Sequence, residues 1–405
     1  MWEYHQIALG PQLSALNHQQ LVVFFYFHSM ISYWEKTSFI TYDYLIIGGG
    51  IVGHFAALEL AQQQPNAKIA LLEKGLFPHG ASTKNAGFAC FGSLTELEAD
   101  EHTLSIDAQL QLVEHRLKGL EQLRQTLGDT TIDYSPCGGY ELLFDTAENL
   151  EARCERWNSL LQPLIGSDTF YNADQEITAQ GFSTKHVKHM VGSRFEGTIN
   201  TGKMMYALSK KVASLGVMRY TQSDVIGWEP HPTGVHVNVR VGDESLALQA
   251  KKVGVCTNAF TKKWLPELDL NPGRGCVLIS TPIPNFSLKG CFHYQEGYYY
   301  FRSIDQRLLI GGGRQLAFEE ETTTQFGINP KIKAALVEDV QRFILPHTPF
   351  KIEQEWSGIM GFGPHKKPII TTIDDRVTLG IRLGGMGVAI GASVGTAVAE
   401  KMYSN

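Results

Sequence analysis

Asp43-Tyr-Leu-Ile-Ile-Gly48-Gly-Gly50-Ile-Val-Gly53, followed at residues 68–74 by Lys68-Ile-Ala-Leu-Leu-Glu73-Lys74, is the stretch that decides the fold. An apolar strand run, a spaced glycine set, a helix-like segment to Gln64 and a second apolar strand make a complete βαβ dinucleotide-binding unit. Gly48 turns the strand sharply, Gly50 lets backbone approach a pyrophosphate, and Gly53 lets helix and strand pack closely. The helix opens at Ile51 and Val52, whose N–H groups and aligned dipoles favour phosphate. Glu73 lies twenty residues beyond Gly53 (73 − 53), at the end of the second strand beside Lys74. A carboxylate there accepts both hydroxyls of an unphosphorylated ribose, which selects FAD or NAD over NADP.

The 405 residues suffice for two or three domains. A formal charge of −6 offers no basic footprint for nucleic acid and no polybasic membrane patch. The six cysteines show no C-x-x-C pair and no Cys/His spacing of a zinc site, so buried free thiols in a reducing cytoplasm are expected, with no metal. Leu21-Val-Val-Phe-Phe-Tyr-Phe27 is far short of the about 20 residues needed to span a bilayer. No Lys or Arg precedes it and no small-residue cleavage site follows, which argues against a secretory signal. Residues 1–40 read as an extension and lead-in, with Met30 a candidate native start.

Beyond the βαβ unit, Phe77 to Phe88 is a small-residue and polar loop. From Ser105, Ile106, Leu110, Val113, Leu117, Leu120 and Leu127 recur at helical spacing until Gly128, predicting a long amphipathic helix that packs on a second domain. Tyr140–Phe144 reads as a strand and residues 147–164 as a helix. Another helix spans residues 204–215, with Thr201 as possible N-cap and Gly216 as stop. Val235, Val237, Val239 and Val241 alternate with polar residues as in a half-buried strand. Val253–Ala259 is a buried strand entering a turn, and residues 298–302 and 307–313 form a hairpin. Leu383-Gly384-Gly385-Met386-Gly387 turns into a small-residue helix.

Taken in order, the βαβ unit, Ala81-Ser82 to Gly87, Thr257-Asn258-Ala259-Phe260, Arg307-Leu-Leu-Ile-Gly311-Gly-Gly313, Trp356-Ser-Gly358 and Gly384–Gly387 resemble the D-amino-acid oxidase superfamily of flavoproteins. The likeness is greatest to its γ-glutamylputrescine oxidase-like branch, near glycine and sarcosine oxidases, and extends from about Tyr42 to the C-terminus. The resemblance implies an α/β plus α+β architecture of the glutathione-reductase-2-like kind: a Rossmann-type FAD-binding domain (41–95, 190–262, 352–405) and a discontinuous antiparallel-sheet substrate domain (96–189, 263–351). It implies that Ser82, Thr83, Lys84, Asn85, Ala86 and Gly87 follow the pyrophosphate and flavin edge. Thr257, Asn258 and Ala259 would also face the cofactor. Gly384, Gly385, Met386 and Gly387 would bring backbone N–H groups and a helix N-terminus, carrying roughly half a positive charge, to the flavin N1–C2=O locus.

Departures from the family pattern shape the expected chemistry. Where sarcosine oxidase-like members tether flavin through cysteine, this chain has Trp356-Ser-Gly-Ile-Met360-Gly-Phe362; where others tether through histidine it has Asn85. FAD is therefore expected to be non-covalent. Met360 stands where amino-acid oxidases place a carboxylate-clamping arginine, so a small amine or amino-acid derivative is expected rather than an unmodified α-amino acid. Arg302 is a replacement clamp candidate. Leu309 stands near the oxygen-activating lysine of sarcosine oxidase, which leaves the acceptor as O2 or another oxidant. Amine oxidation needs a closed aromatic pocket, with Tyr299, Tyr300, Phe362, Met386 and Phe88 as wall candidates and His293 as a proton acceptor. An FAD-dependent 2-hydroxy-acid oxidoreductase and a non-catalytic flavin-binding assembly factor are the rival readings.

Overall fold

The computed structural model describes residues 31–404. The Leu21–Phe27 run and the expected start at Met30 lie outside them. Residues Tyr33–Phe39 form a short exposed helix closed by a Ser32/Glu35 capping box, and the chain then enters the first sheet.

Thr41–Ile47 lies at the centre of that sheet, parallel to Ile69–Leu72 on one side and to Glu244–Val255 on the other. Met218–Tyr220 extends one edge in parallel, and Val377–Ile381 the other, with Ile369–Asp374 antiparallel beyond it. Helices pack on one face of the parallel strands, against Ile46, Ile69 and Leu71, and Val225, Val235, Val237 and Val239 pack on the other, against Leu45, Ile47, Ala70 and Leu72, so those strands are apolar on both faces. Ile69–Leu72 is accordingly buried at every position. Asp224–His231 and Gly234–Val241 continue from Glu244–Val255 as an antiparallel extension. Val235, Val237 and Val239 are buried there, while Val241 is exposed at the end.

Helices Ile51–Gln63 and Gly387–Ser404 share one hydrophobic core under the sheet. Their contact depends on absent side chains: a Cβ on Gly395 would stand 2.5 Å from the Val52 carbonyl oxygen.

The second sheet also has eight strands, ordered Ile352–Phe362, Asn271–Ser280, Arg307–Gly312, Tyr299–Ile304, Cys291–Tyr294, Gly139–Leu143, His189–Ser193 and Phe170–Asn172. All its neighbours are antiparallel except Cys291–Tyr294 and Gly139–Leu143. The hairpin between Tyr299–Ile304 and Arg307–Gly312 closes on Asp305 and Gln306, both at positive φ (49° and 57°), the geometry that matches strand twist.

Three boundaries differ from expectation. Segments 190–193 and 352–362 belong to strands of the second sheet, because Ile352–Phe362 pairs with Asn271–Ser280 and His189–Ser193 with Gly139–Leu143. The helix starting at Thr201 is capped by Asn200, whose Oδ1 accepts from Lys203 N at 3.0 Å, so Thr201 is its first helical residue. Helix Ile106–Leu127 has the expected Ser105 cap and Gly128 stop, but it serves both halves. Leu112, Leu120 and Leu123 join the nucleotide-side core, while Val113 packs with helix Leu150–Ile165. Gly119 permits this, since a Cβ there would lie 2.2 Å from the Ala389 carbonyl oxygen.

Candidate active site

A cavity of about 1560 Å³ runs from the first glycine loop to the second sheet. At one end, the Glu73 carboxylate accepts Gly49 N at 2.9 Å through Oε2, and Gly75 N at 2.9 Å and His79 N at 3.1 Å through Oε1. Three backbone donors therefore hold it at the strand end before any ligand arrives. Gly48, Gly50, Ile51, Val52, Glu73 and Lys74 all line the cavity. Gly53 does not; it packs behind the loop, where a Cβ would be 1.9 Å from the Gly48 carbonyl oxygen. Ser82 docks on the helix start, accepting Ile51 N at 3.0 Å.

The loop at 80–87 is braced from within. Asn85 Nδ2 donates to the Ser82 carbonyl at 3.0 Å, and its Oδ1 accepts both Gly87 N and Thr201 Oγ1 at 2.8 Å. Asn85 thus ties the loop to the Asn200-capped helix. Ser82, Lys84, Asn85 and Ala86 line the cavity, whereas Thr83, bonded to the Pro78 carbonyl, and Gly87 sit behind it. Trp356 Nε1 donates to the Lys84 carbonyl at 2.9 Å, joining the loop to the second sheet.

Thr257, Asn258 and Ala259 form the opposite wall. Asn258 Oδ1 accepts Arg382 N at 2.9 Å, linking that wall to the segment entering the last glycine turn. Gly384 and Gly385 have φ of 58° and 86°, Gly384 N donates to the Gly361 carbonyl, and Gly384–Gly387 face the cavity. Two glycine turns distant in sequence, each opening a helix, therefore meet one space.

Phe88, His293, Tyr300, Met360, Phe362 and Met386 line the far end. The Phe88 ring meets His293 at 5.1 Å and Tyr300 at 5.5 Å, both edge-on. Burial pushes the Tyr300 phenol up. Two expected residues are elsewhere. Tyr299 stacks on Tyr294 at 4.5 Å in the core beneath the sheet. Arg302 is buried, and its Nη1 donates to the Gly87 carbonyl at 2.8 Å and the Ile199 carbonyl at 3.1 Å. It fastens the hairpin to the loop and is no carboxylate clamp. Leu309 packs with Ala86 and Val277 on the same covered end of the sheet.

Arg314 and Lys366 are among the cavity cations that the sequence did not reveal. Arg314 follows Gly313 at the hairpin's exit, and its guanidinium lies over Phe362 at 4.0 Å and Phe318 at 4.8 Å. Among the described residues it has no carboxylate ion-pair partner, and burial lowers its pKa. Its position after the Gly311–Gly313 run was the available signal. Lys366 Nζ bonds Glu96 Oε1 at 2.6 Å and Asp100 Oδ1 at 2.9 Å. Burial opposes its charge, but the two carboxylates outweigh that and raise its pKa. No local signal pairs residues this far apart. His293 has a similar balance: burial disfavours its charge, while Cys90 and Glu196 favour it and carry its pKa well above the ordinary value.

Fold and cavity together define a two-domain flavin-nucleotide enzyme class. The chain belongs to the DAO family of FAD-dependent oxidoreductases, whose model matches residues 43–401. It is 24% identical over 306 residues to L-2-hydroxyglutarate dehydrogenase of Escherichia coli (strain K12), covering 69% of this chain and 65% of that protein, less than two thirds of its length. It is 24% identical over 277 residues to glycine oxidase of Geobacillus kaustophilus (strain HTA426), covering 67% and 69%. With γ-glutamylputrescine oxidoreductase of Escherichia coli (strain K12) it shares 23% identity over 391 residues, covering 89% and 83%. Its fold is that of the Geobacillus kaustophilus glycine oxidase structure (TM-score 0.70, 19% identity, 90% of this chain and 95% of that one). L-proline dehydrogenase from P. horikoshii is also alike (TM-score 0.72, 16% identity, 89% and 93%).

The residues present fit FAD. A carboxylate fixed at the strand end would take ribose hydroxyls, side-chain-free turns would let a diphosphate approach backbone, and a second helix opens on the same cavity. Among the described residues no helix is long and apolar enough to cross a membrane.

Proposed function

We propose that this chain uses non-covalent FAD to oxidise the C–N bond of a small amine or amino-acid derivative that carries a carboxylate, releasing an imine that hydrolyses in water. The observation that carries the carboxylate is Arg314, a cavity guanidinium seated on Phe362 without an acidic partner among the described residues. Met360 removes the clamp used by α-amino-acid oxidases, and Arg314, reached from another strand, receives a carboxylate set apart from the reacting carbon.

In this reading Glu73 takes the ribose hydroxyls, Ser82, Lys84 and Asn85 follow the diphosphate and flavin edge, and the Gly384–Gly387 turn presents N–H groups to the ring. Bound flavin supplies the hydride acceptor. Phe88, Tyr300, Met360 and Met386 hold the C–H bond in place and exclude water. Segments of the first sheet form the FAD-binding domain and the second sheet roofs the substrate. The names of the glycine oxidase and γ-glutamylputrescine oxidoreductase relatives support a C–N donor. Six free cysteines make a reducing cytoplasm the proposed compartment.

A 2-hydroxy acid is the second reading, favoured by the L-2-hydroxyglutarate dehydrogenase relative and equally able to place its carboxylate on Arg314. Anaerobic reduction by a panel of carboxylate-bearing amines, plain amines and 2-hydroxy acids separates the two. Bleaching of the flavin by the first group supports the proposal. Bleaching by hydroxy acids alone transfers the site to the second reading. Bleaching by none of them, with dithionite still effective, favours a non-catalytic flavin-binding factor.

A further inference from the structure

Behind Phe88, three elements distant in sequence bring a thiol, a carboxylate and an imidazole together. Cys90 follows the strand Phe88–Ala89, Glu196 occupies the turn before Gly197–Thr198, and His293 lies in Cys291–Tyr294. Their ligating atoms all lie within 4.8 Å of one another, and all three residues are buried. We propose that Cys90, Glu196 and His293 form a binding site for one thiophilic divalent cation of the Zn²⁺ class, open toward the substrate cavity.

Geometry favours a cation over an ordinary ion pair. His293 Nε2 stands 3.4 Å from Glu196 Oε2 but makes no aligned hydrogen bond, and both that nitrogen and Glu196 Oε1 are buried without a partner. A proton on His293 leaves Glu196 Oε1 unsatisfied, and an unpaired buried carboxylate oxygen is costly. Tetrahedral zinc binds sulfur at about 2.3 Å and nitrogen or oxygen at about 2.0–2.2 Å, which spaces neighbouring donors roughly 3.3–3.7 Å apart. The His293–Glu196 separation falls in that range.

Room for the carboxylate is cut into the backbone: a Cβ on Gly139 would lie 1.9 Å from Glu196 Oε2. The Cys291 thiol donates to the same oxygen at 3.8 Å, orienting it from behind. One thiolate, one carboxylate and a neutral imidazole match a divalent charge, and loading releases the thiol proton together with any proton on His293.

Cys90 and His293 line the main cavity, and Glu196 lies behind them. Three protein ligands with the remaining position open to a cavity is the pattern of zinc sites that exchange a ligand. The open position would take water or a nitrogen or oxygen donor of the substrate. This inference does not depend on which substrate is oxidised.

The test uses the FAD-loaded enzyme, purified without chelator, incubated with Zn²⁺ and desalted. Metal per flavin is measured by plasma mass spectrometry for wild type, Cys90→Ala, Glu196→Gln and Cys90→Asp, with flavin content and circular dichroism as fold checks. Wild type should retain about one zinc per chain, and Cys90→Ala and Glu196→Gln should each lose at least roughly tenfold in retention. Cys90→Asp, which keeps an anionic ligand, should recover part of it. Co²⁺ loading should add thiolate charge-transfer absorption in wild type that Cys90→Ala lacks. Folded, flavin-bearing wild type that retains no more zinc than Glu196→Gln would overturn the site and leave a buried His293–Glu196 ion pair.

Discussion

Arg314 and His54 show how burial decides what a charged residue does. The Arg314 guanidinium, half-stripped of water and stacked on Phe362, has electrostatic capacity in hand for a ligand anion. A hydrogen bond to a charged group is worth ~2 kcal/mol, so Arg314→Ala should raise KM for carboxylate-bearing substrates by about 30-fold. Plain amines should be affected little, and steady-state kinetics on matched pairs checks this. His54 is fully buried in helix Ile51–Gln63, with Nδ1 donating to the Gly50 carbonyl at 2.9 Å and Ser209 Oγ 3.3 Å from Nε2. Burial is the main cause that lowers its pKa to about 4, and Arg219 adds to the effect. Its folded value lies below its unfolded value near 6.5. The unfolded chain therefore takes up a proton first, and the stability that His54 contributes, intact above about pH 6.5, drains away toward pH 4. Between pH 7 and pH 5 this amounts to about 2 kcal/mol. Denaturant titrations should show that much less acid sensitivity in His54→Gln, and an unchanged slope would contradict it. At this scale the sequence was legible where a residue's task is local. Glu73, Ser82, Asn85 and Gly384 line the expected space because turn chemistry and strand ends define them. Arg302 was misread because it shares a strand face with Tyr300, and strand alternation carries no sign that the 80–87 loop covers one end of that face. Cys90, Glu196 and His293 left no spacing to read, since only tertiary pairing unites them.

Helix Ile106–Leu127 carries the lesson at the scale of elements. Its ends were readable from Ser105 and Gly128, and its apolar stripe from spacing, but a stripe does not name its partner. The structure divides the stripe between two cores, and Gly119 is the contact that brings the helix against Gly387–Ser404. Gly119→Ala should therefore destabilise the fold by about 1–3 kcal/mol through overpacking against the Ala389 carbonyl. Thermal unfolding of the holoenzyme checks this; a variant as stable as wild type would show that the helices separate without cost. Strand Ile352–Phe362 belongs to the second sheet and not to the nucleotide half in which the family resemblance places residues 352–405. Its centre, Ser357-Gly-Ile-Met-Gly361, is glycine-rich and hides the alternation that marks a strand. Those glycines let the strand cross close to Lys84 and Asn258, which is how it reaches the cavity.

Across the whole molecule, one sheet with its two glycine-turn helices and the second sheet line a single cavity, the proposed nucleotide cradle. The general plan was legible from the order of the motifs; the division between halves was not, because segments 190–193 and 352–362 are placed only by their strand pairing in the second sheet. The account rests on FAD held by those two glycine turns without a covalent bond. Acid precipitation of freshly purified protein, with mass analysis of the supernatant and pellet, tests this most directly. The account predicts about one FAD per chain, all of it in the supernatant. Colourless protein that takes up no FAD on reconstitution would contradict the cradle, and flavin remaining with the pellet would contradict its non-covalent hold.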